Sequence, residues 1–284
     1  MRLLADIMLP FALLYGSVVG GVFFFQSSLI YYPHIGREMT ATPRNHGLDY
    51  EELEIATEDG EKLAGWWVPS AASRGTVLIF HGNAGNISHR IDYLRMFHDL
   101  GYSTLIIDYR GYGRSTGSPS EDGTYRDAAA AWRHLTEQRA VPARDIVLFG
   151  ESLGGAVASW LAARHPPRAL VLASTFTSVP DLGAQIYWFL PVRLISRFHY
   201  DTLSNLKKIS APVLVAHSRS DEIVPFSHGE RLYRAAREPK RLLVLSGGHN
   251  DGFIFVNAEW IRALGEFLER HAPKDESPRR RSGR

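Results

Sequence analysis

The chain has 284 residues, with 32 Lys and Arg against 30 Asp and Glu and a formal net charge of +2, so no overall field favours nucleic acid or a strongly acidic partner. It contains no cysteine, which excludes disulfides, a thiolate nucleophile and cysteine-ligated metal and leaves the redox compartment open. Setting aside a hydrophobic N-terminus and a charged tail leaves roughly 230 residues, enough for one α/β domain around one core.

From Ile7 to Tyr32 no residue is charged, a run longer than the ~20 apolar residues that cross a bilayer. Residues 1–32 are therefore read as a single-pass transmembrane anchor, which makes a membrane the first expected partner. The competing reading is a cleaved signal peptide, but only Arg2 precedes the apolar run and no A-x-A-like site follows it. Tyr31 and Tyr32 are expected at the membrane–water interface. Arg2 on one flank faces Arg37 and Arg44 on the other, so charge does not set the orientation; a short N-terminus held inside places the domain outside. Ala12, Gly16 and Gly20 share one helical face and offer a close-approach surface for self-association, although Gly is common in membrane helices generally.

Residues 33–47 read as a linker, and 48–272 as the folded domain. It opens with two strand-like runs, Glu51 to Ala56 and Leu63 to Val68, joined by a Glu58-Asp59-Gly60 turn as a hairpin. Short β-branched runs then alternate with helical patterns: Thr76 to Phe80, Ser103 to Ile107, Ile146 to Phe149, Ala169 to Leu172, Val213 to Ala216 and Leu242 to Leu245. The helices are predicted near Ser88 to Leu100, Thr124 to Arg139, Leu153 to Arg164, His228 to Ala236 and Asn257 to Arg270. Parallel neighbours need such crossovers, so the expectation is a mostly parallel sheet with an antiparallel start. The connection between the runs at 169–172 and 213–216 is too long for an ordinary βα loop and predicts a cap over about 174–210. Its Tyr187, Trp188 and Phe189 would line an acyl pocket or pack as a cap helix. Residues 273–284, rich in Arg, Ser and Pro, read as a disordered basic tail.

The strand ending at Phe149 runs into Gly150-Glu151-Ser152-Leu153-Gly154 and then a helix, the strand–turn–helix setting that a G-x-S-x-G nucleophile elbow requires. A serine hydroxyl is a weak nucleophile and needs a base, usually His, oriented by a carboxylate. In this setting the acid and then the base follow the serine along the chain, each after a strand. Asp221 stands in Ser218-Arg219-Ser220-Asp221-Glu222-Ile223-Val224-Pro225, and His249 in Gly247-Gly248-His249-Asn250-Asp251. Glu222 and Asp251 are the rival carboxylates; His217 and His228 are rival histidines that break the order. His98, His134 and His165 read as solvated. The second requirement is a pair of N–H donors for the oxyanion, expected from Leu153 after the nucleophile and Asn83 in His81-Gly82-Asn83-Ala84-Gly85-Asn86. His81 and Gly82 are expected to shape that loop, and Asp108 to fix the Asp108-Tyr109-Arg110-Gly111-Tyr112-Gly113 turn, paired to Arg110. No H-E-x-x-H or similar ligand set is present, so neither metal nor cofactor is expected.

In this order the motifs HGNAGN, DYRGYGRS, GESLGG, SDEIVP and GGHND, from Thr76 to Val256, resemble the Bem-type membrane-anchored branch of the α/β-hydrolases, related to the mammalian abhydrolase-domain depalmitoylases. The resemblance implies an α/β-hydrolase fold and a Ser-His-Asp triad on Ser152, His249 and Asp221. The chain departs from the depalmitoylase relatives in lacking a cysteine-rich N-terminus. The expected activity is hydrolysis of a small-molecule or lipid acyl ester or thioester by a membrane-tethered serine hydrolase. The same triad serves peptides and amides, and a non-catalytic membrane-anchored scaffold is the reading from another class.

Overall fold

A computed structural model describes residues 2–71, 73–250 and 257–272. Eight strands, β1 (Glu51–Ala56), β2 (Lys62–Val68), β3 (Thr76–Phe80), β4 (Ser103–Ile107), β5 (Ile146–Glu151), β6 (Ala169–Ala173), β7 (Val213–Ser218) and β8 (Lys240–Leu245), form one sheet. Their order is β1-β2-β4-β3-β5-β6-β7-β8. The hairpin strand β2 runs antiparallel to β1 and β4; every later pairing is parallel, as the alternation of short strands and crossovers demands.

The helices are α1 (Arg2–Ile30), α2 (Ile91–Asp99), α3 (Glu121–Arg133), α4 (Leu153–Ala162), α5 (Val179–Ile186), α6 (Val192–Ile195), α7 (Thr202–Leu206), α8 (Phe226–Ala235) and α9 (Ala258–Arg270). Because both faces of a parallel sheet are covered, its strands are apolar on both sides. In β3, Leu78 and Phe80 pack with Trp132 of α3 and Val157 of α4, while Val77 and Ile79 pack with Phe97 of α2 and Leu264 of α9. The loops at the carboxyl edge therefore rise from a base with little freedom to move.

Local capping explains where two helices depart from the predicted bounds. Asn86 accepts the Ser88 N–H and starts the β3–β4 crossover as a 3-10 turn, Ile87–Arg90, before α2. Ser120 accepts the Gly123 N–H and starts α3 three residues early, with Glu121 and Asp122 at its positive end. After α3 a wide turn, His134–Gln138, closes the crossover. His134 is buried rather than solvated, held by Gln138 Oε1 at 2.8 Å and by Arg139, whose Nε donates to its Nε2.

The N-terminal helix carries 23 consecutive residues, Met8–Ile30, of mean hydropathy 1.9, long and apolar enough to cross a membrane. Its small-residue face is uncovered: a side chain added at Gly16 or Gly20 would meet nothing within 4 Å. The helix bends at Phe25 (φ −102°, ψ 17°) and its last turn lies against the domain. Tyr31 consequently does not sit at a free membrane interface; it is buried, with its hydroxyl 2.7 Å from that of Tyr200. The segment expected as a linker is laced down, because the Asn86 side-chain amide donates to the carbonyls of Gly36, Arg37 and Glu38. The basic tail, 273–284, and Asp251 lie outside the described residues.

Candidate active site

The register of β3 against β5 places Phe80 opposite Gly150, so the chain leaving β5 must turn over a crowded edge. A side chain at Gly150 would collide with the Gly154 carbonyl, and one at Gly154 with the Phe80 carbonyl. Those glycines serve close approach of backbone, not unusual dihedrals; it is Ser152 that takes the rare conformation, at φ 52° and ψ −117°. A non-glycine residue there costs of order 1–3 kcal/mol and persists only where its surroundings fix it. Here the Ser152 N–H donates to Ala173 O, and its carbonyl accepts from Gly155 N–H and the Thr175 hydroxyl. The result is a serine side chain held at the N-terminus of α4.

Two later loops reach this serine. His249 Nε2 lies 3.2 Å from Ser152 Oγ, and His249 Nδ1 lies 2.8 Å from Asp221 Oδ2. An ionised carboxylate only accepts, so the proton on that contact sits on Nδ1 and Nε2 is left with its lone pair toward the hydroxyl. Asp221 also accepts the backbone N–H groups of Ile223 and Val224 at Oδ1. Burial raises the pKa of Asp221, but the side chains of His217 and His249 and the Val224 N–H outweigh it and hold the carboxyl well below the usual range.

The rivals have other places. Glu222 accepts the backbone N–H of His249 at 3.0 Å, so it fixes the histidine loop rather than the imidazole. Ser218 adds a second tie between these loops through Gly247 O. His217 is fully buried beneath Asp221, 3.4 Å away, with its Nε2 2.8 Å from Val224 O. His228 accepts the Thr177 N–H under the cap, and burial pushes its pKa down to about 4.

The loop after β3 is braced from both sides. Tyr109 donates its hydroxyl proton to His81 O and Tyr112 to Asn83 O. From the other side the Tyr32 N–H donates to Asn83 O, the Asn83 side-chain amide donates to Ile30 O, and the Gly85 N–H donates to Ile35 O. The chain just after α1 thus clamps the loop expected to supply an oxyanion donor. Neither the Asn83 nor the Leu153 N–H has a hydrogen-bond partner among the described residues. Asp108 is buried as expected, but its partners are the Ile87 N–H and, 3.6 Å away, His81. Burial pushes Asp108 up to about 7 and His81 down to about 3, so it favours the neutral form of each over an ion pair. Arg110 does not pair with Asp108; its guanidinium reaches Asp127 and Asp59, across the turn.

Above these groups is a cavity of about 460 Å³, within the range of small-molecule sites. Gly82, Asn83, Ser152 and His249 line its polar end; Leu182, Ile186 and Ile195 of the cap and Val22, Leu29 and Ile30 of α1 line the rest. Of the three cap aromatics singled out in the sequence, only Tyr187 lines it; Trp188 and Phe189 point outward. Two contributors carried no sequence signal. Arg90 and Glu151 form an ion pair at 3.0 Å on the cavity wall across 61 positions of chain. Gln26 is buried between α1 and the cap, donating to Ile195 O and accepting the Arg197 N–H. A glutamine in an apolar run reads only as a lapse in hydropathy. Among the described residues no cluster of acidic and histidine side chains is suited to a metal ion.

A doubly covered, mostly parallel sheet with serine, acid and histidine loops on its carboxyl edge defines the α/β-hydrolase class. The family model for the alpha/beta hydrolase fold matches residues 75–198. Several relatives match most of the chain, among them the following two. The Arabidopsis thaliana alpha/beta hydrolase domain-containing protein WAV2 is 34% identical, over 91% of this chain and 93% of its own. The Schizosaccharomyces pombe protein bem46 is 38% identical, over 73% of each. Among solved structures the Pyrococcus furiosus esterase Pf2001 superposes with a TM-score of 0.72 at 23% identity, covering 86% of this chain and 98% of that one. The chain belongs to the α/β-hydrolase family, alongside Bem46 and WAV2.

Proposed function

We propose that this chain is a membrane-tethered serine hydrolase that cleaves acyl esters or thioesters. The observation that carries this reading is the relay from Asp221 through His249 to Ser152 at 2.8 and 3.2 Å, opening into a cavity apolar on its far side. The hydrolase fold, and the esterase named among its structural neighbours, support the same reaction class.

Ser152 Oγ attacks the acyl carbonyl while His249 Nε2 takes its proton; the resulting imidazolium faces the Asp221 carboxylate. The carbonyl oxygen gains negative charge, and the N–H groups of Asn83 and Leu153 receive it, each such donor contributing about 3–4 kcal/mol to the transition state. His249 returns its proton to the departing alcohol or thiol. Water, deprotonated by the same nitrogen, then attacks the acyl-serine and releases the acid. The acyl group lies along the apolar wall, and α1 keeps the enzyme at the membrane where acylated substrates collect.

A fluorophosphonate probe tests the assignment. Wild type is expected to be labelled, and Ser152→Ala, folded to the same melting temperature, is expected to remain unlabelled. Labelling that survives the substitution sinks it. Matched ester, thioester and amide substrates with one acyl group then rank the bond cleaved, and amide rates above ester rates would overturn the acyl-ester reading.

A further inference from the structure

The cap does more than cover the cavity. Its tip, the turn after α5 together with α6, carries Trp188 and Leu194 at 81% and 88% exposure, an unusual display of large apolar side chains. The tip lies along α1, where the Tyr15 hydroxyl donates to Phe189 O at 2.9 Å. Higher on the same helix, the Arg197 guanidinium stands 5.7 Å over the Phe23 ring. Eight residues of helix separate Phe23 from Tyr15, about 12 Å along the axis. From Phe23 to Asp6, where the uncharged run ends, the helix runs about 26 Å, a few ångströms less than the ~30 Å hydrocarbon thickness of a bilayer.

These distances fix a level. With Arg197 at the headgroups, α1 carries uncharged helix through most of the hydrocarbon before Asp6, and the cap tip lies about 12 Å deeper than Arg197, still within one leaflet's ~15 Å. Non-helical backbone at that depth must satisfy its polar groups internally. Much of the tip does so: Phe189 O accepts from Tyr15, and the N–H groups of Tyr187, Leu190, Val192 and Leu194 all donate within the cap, while Pro191 has none to satisfy. Between Ile186 and Ser196 the single charge is Arg193, which reaches back to Asp181 at 3.1 Å.

We propose that the cap tip is immersed in one leaflet beside α1, and that the cavity receives the acyl chain of a bilayer-resident lipid directly from that leaflet. Val22, Leu29 and Ile195, which line the cavity, belong to the same helix and cap that contact the lipid, so an acyl chain passes between apolar surfaces without crossing water. The inference rests on reading α1 as a membrane span, and its test separates the two.

The chain has no cysteine, so Leu194→Cys, Leu14→Cys and Ser73→Cys each carry one environment-sensitive fluorophore on the full-length protein in phosphatidylcholine vesicles. Nitroxides on the acyl chains are expected to quench the labels at 14 and 194, and aqueous iodide the label at 73. Iodide quenching at 194 with lipid quenching at 14 overturns the immersion of the cap and leaves the membrane span standing. Iodide quenching at both positions overturns both. In parallel, Leu194→Asp is expected to lower hydrolysis of a vesicle-embedded long-chain ester about tenfold, since a carboxylate is costly in hydrocarbon. Hydrolysis of a short soluble ester should stay unchanged; an equal loss on both substrates overturns the proposal.

Discussion

The polar edge of the cavity and the apolar wall facing it are assembled in different ways. Ser152, Asp221 and His249 each follow a strand by a few residues, so the register of the sheet carries them together and short backbone hydrogen bonds hold them. The wall joins α1 to a cap that is 169 positions away at the Gln26–Ile195 contact and 174 at the Tyr15–Phe189 contact. The first arrangement is inherited from a rigid core. The second depends on a few polar ties across an apolar surface. Chemistry should therefore fail abruptly when the edge is altered, and substrate selection should drift when the wall is altered.

The largest effect is expected at the edge. His249→Ala should reduce kcat by about a millionfold, comparable to loss of the nucleophile itself, measured on a soluble ester. Asp221→Asn keeps the shape but lets the amide hold the wrong tautomer of His249, and kcat should fall by about 10⁴-fold. A loss below tenfold in either would show that the relay is not the reacting group. Asn83→Ala tests where edge and wall meet: the backbone N–H stays, but its clamp to Ile30 O goes. Small misplacements of such donors are costly, so kcat should drop by about 10–100-fold with KM nearly constant.

The wall predicts a different signature. Gln26→Leu leaves Ile195 O and the Arg197 N–H without their partner in a part-buried place, at a cost of about 1 kcal/mol. KM for long-chain esters should rise several-fold while kcat on a short ester holds. The smallest effect concerns stability at the base of the edge. Asp108 has its pKa pushed up to about 7 by burial, against ~3.9 unfolded. Between those values the folded chain binds more protons than the unfolded one, so this group's contribution to stability falls as pH rises from about 4 to 7 and is flat above. Asp108→Asn should remove that decline, so its urea midpoint relative to wild type should climb across the same window.

The elbow turn, the places of Asp221 and His249 after strands, and the Gly-rich loop were all readable because each is a local device. Gly150 and Gly154 announce crowding, and Asp221 and His249 announce themselves by following strands. Asp221 precedes Glu222 after its strand, and the Ile223 and Val224 N–H groups of the run that follows hold its carboxylate. Other roles were hidden. Arg110 lies two residues from Asp108 yet turns to Asp127 and Asp59, because a turn sends neighbouring side chains apart. His134 looked solvated until the turn after α3 folded it inward.

The sequence alone determined the class of sheet, the elbow and the loops that feed it, since periodicity and turn chemistry act over a few residues. It also determined that the N-terminus is apolar enough for a membrane. Only the tertiary structure decided that this helix is part of the cavity, with Gln26 tied to the cap, Ile30 to Asn83 and Tyr31 to Tyr200. The physical reason is that hydrophobic burial has no direction: an apolar run specifies that a surface will be covered, and packing alone selects what covers it.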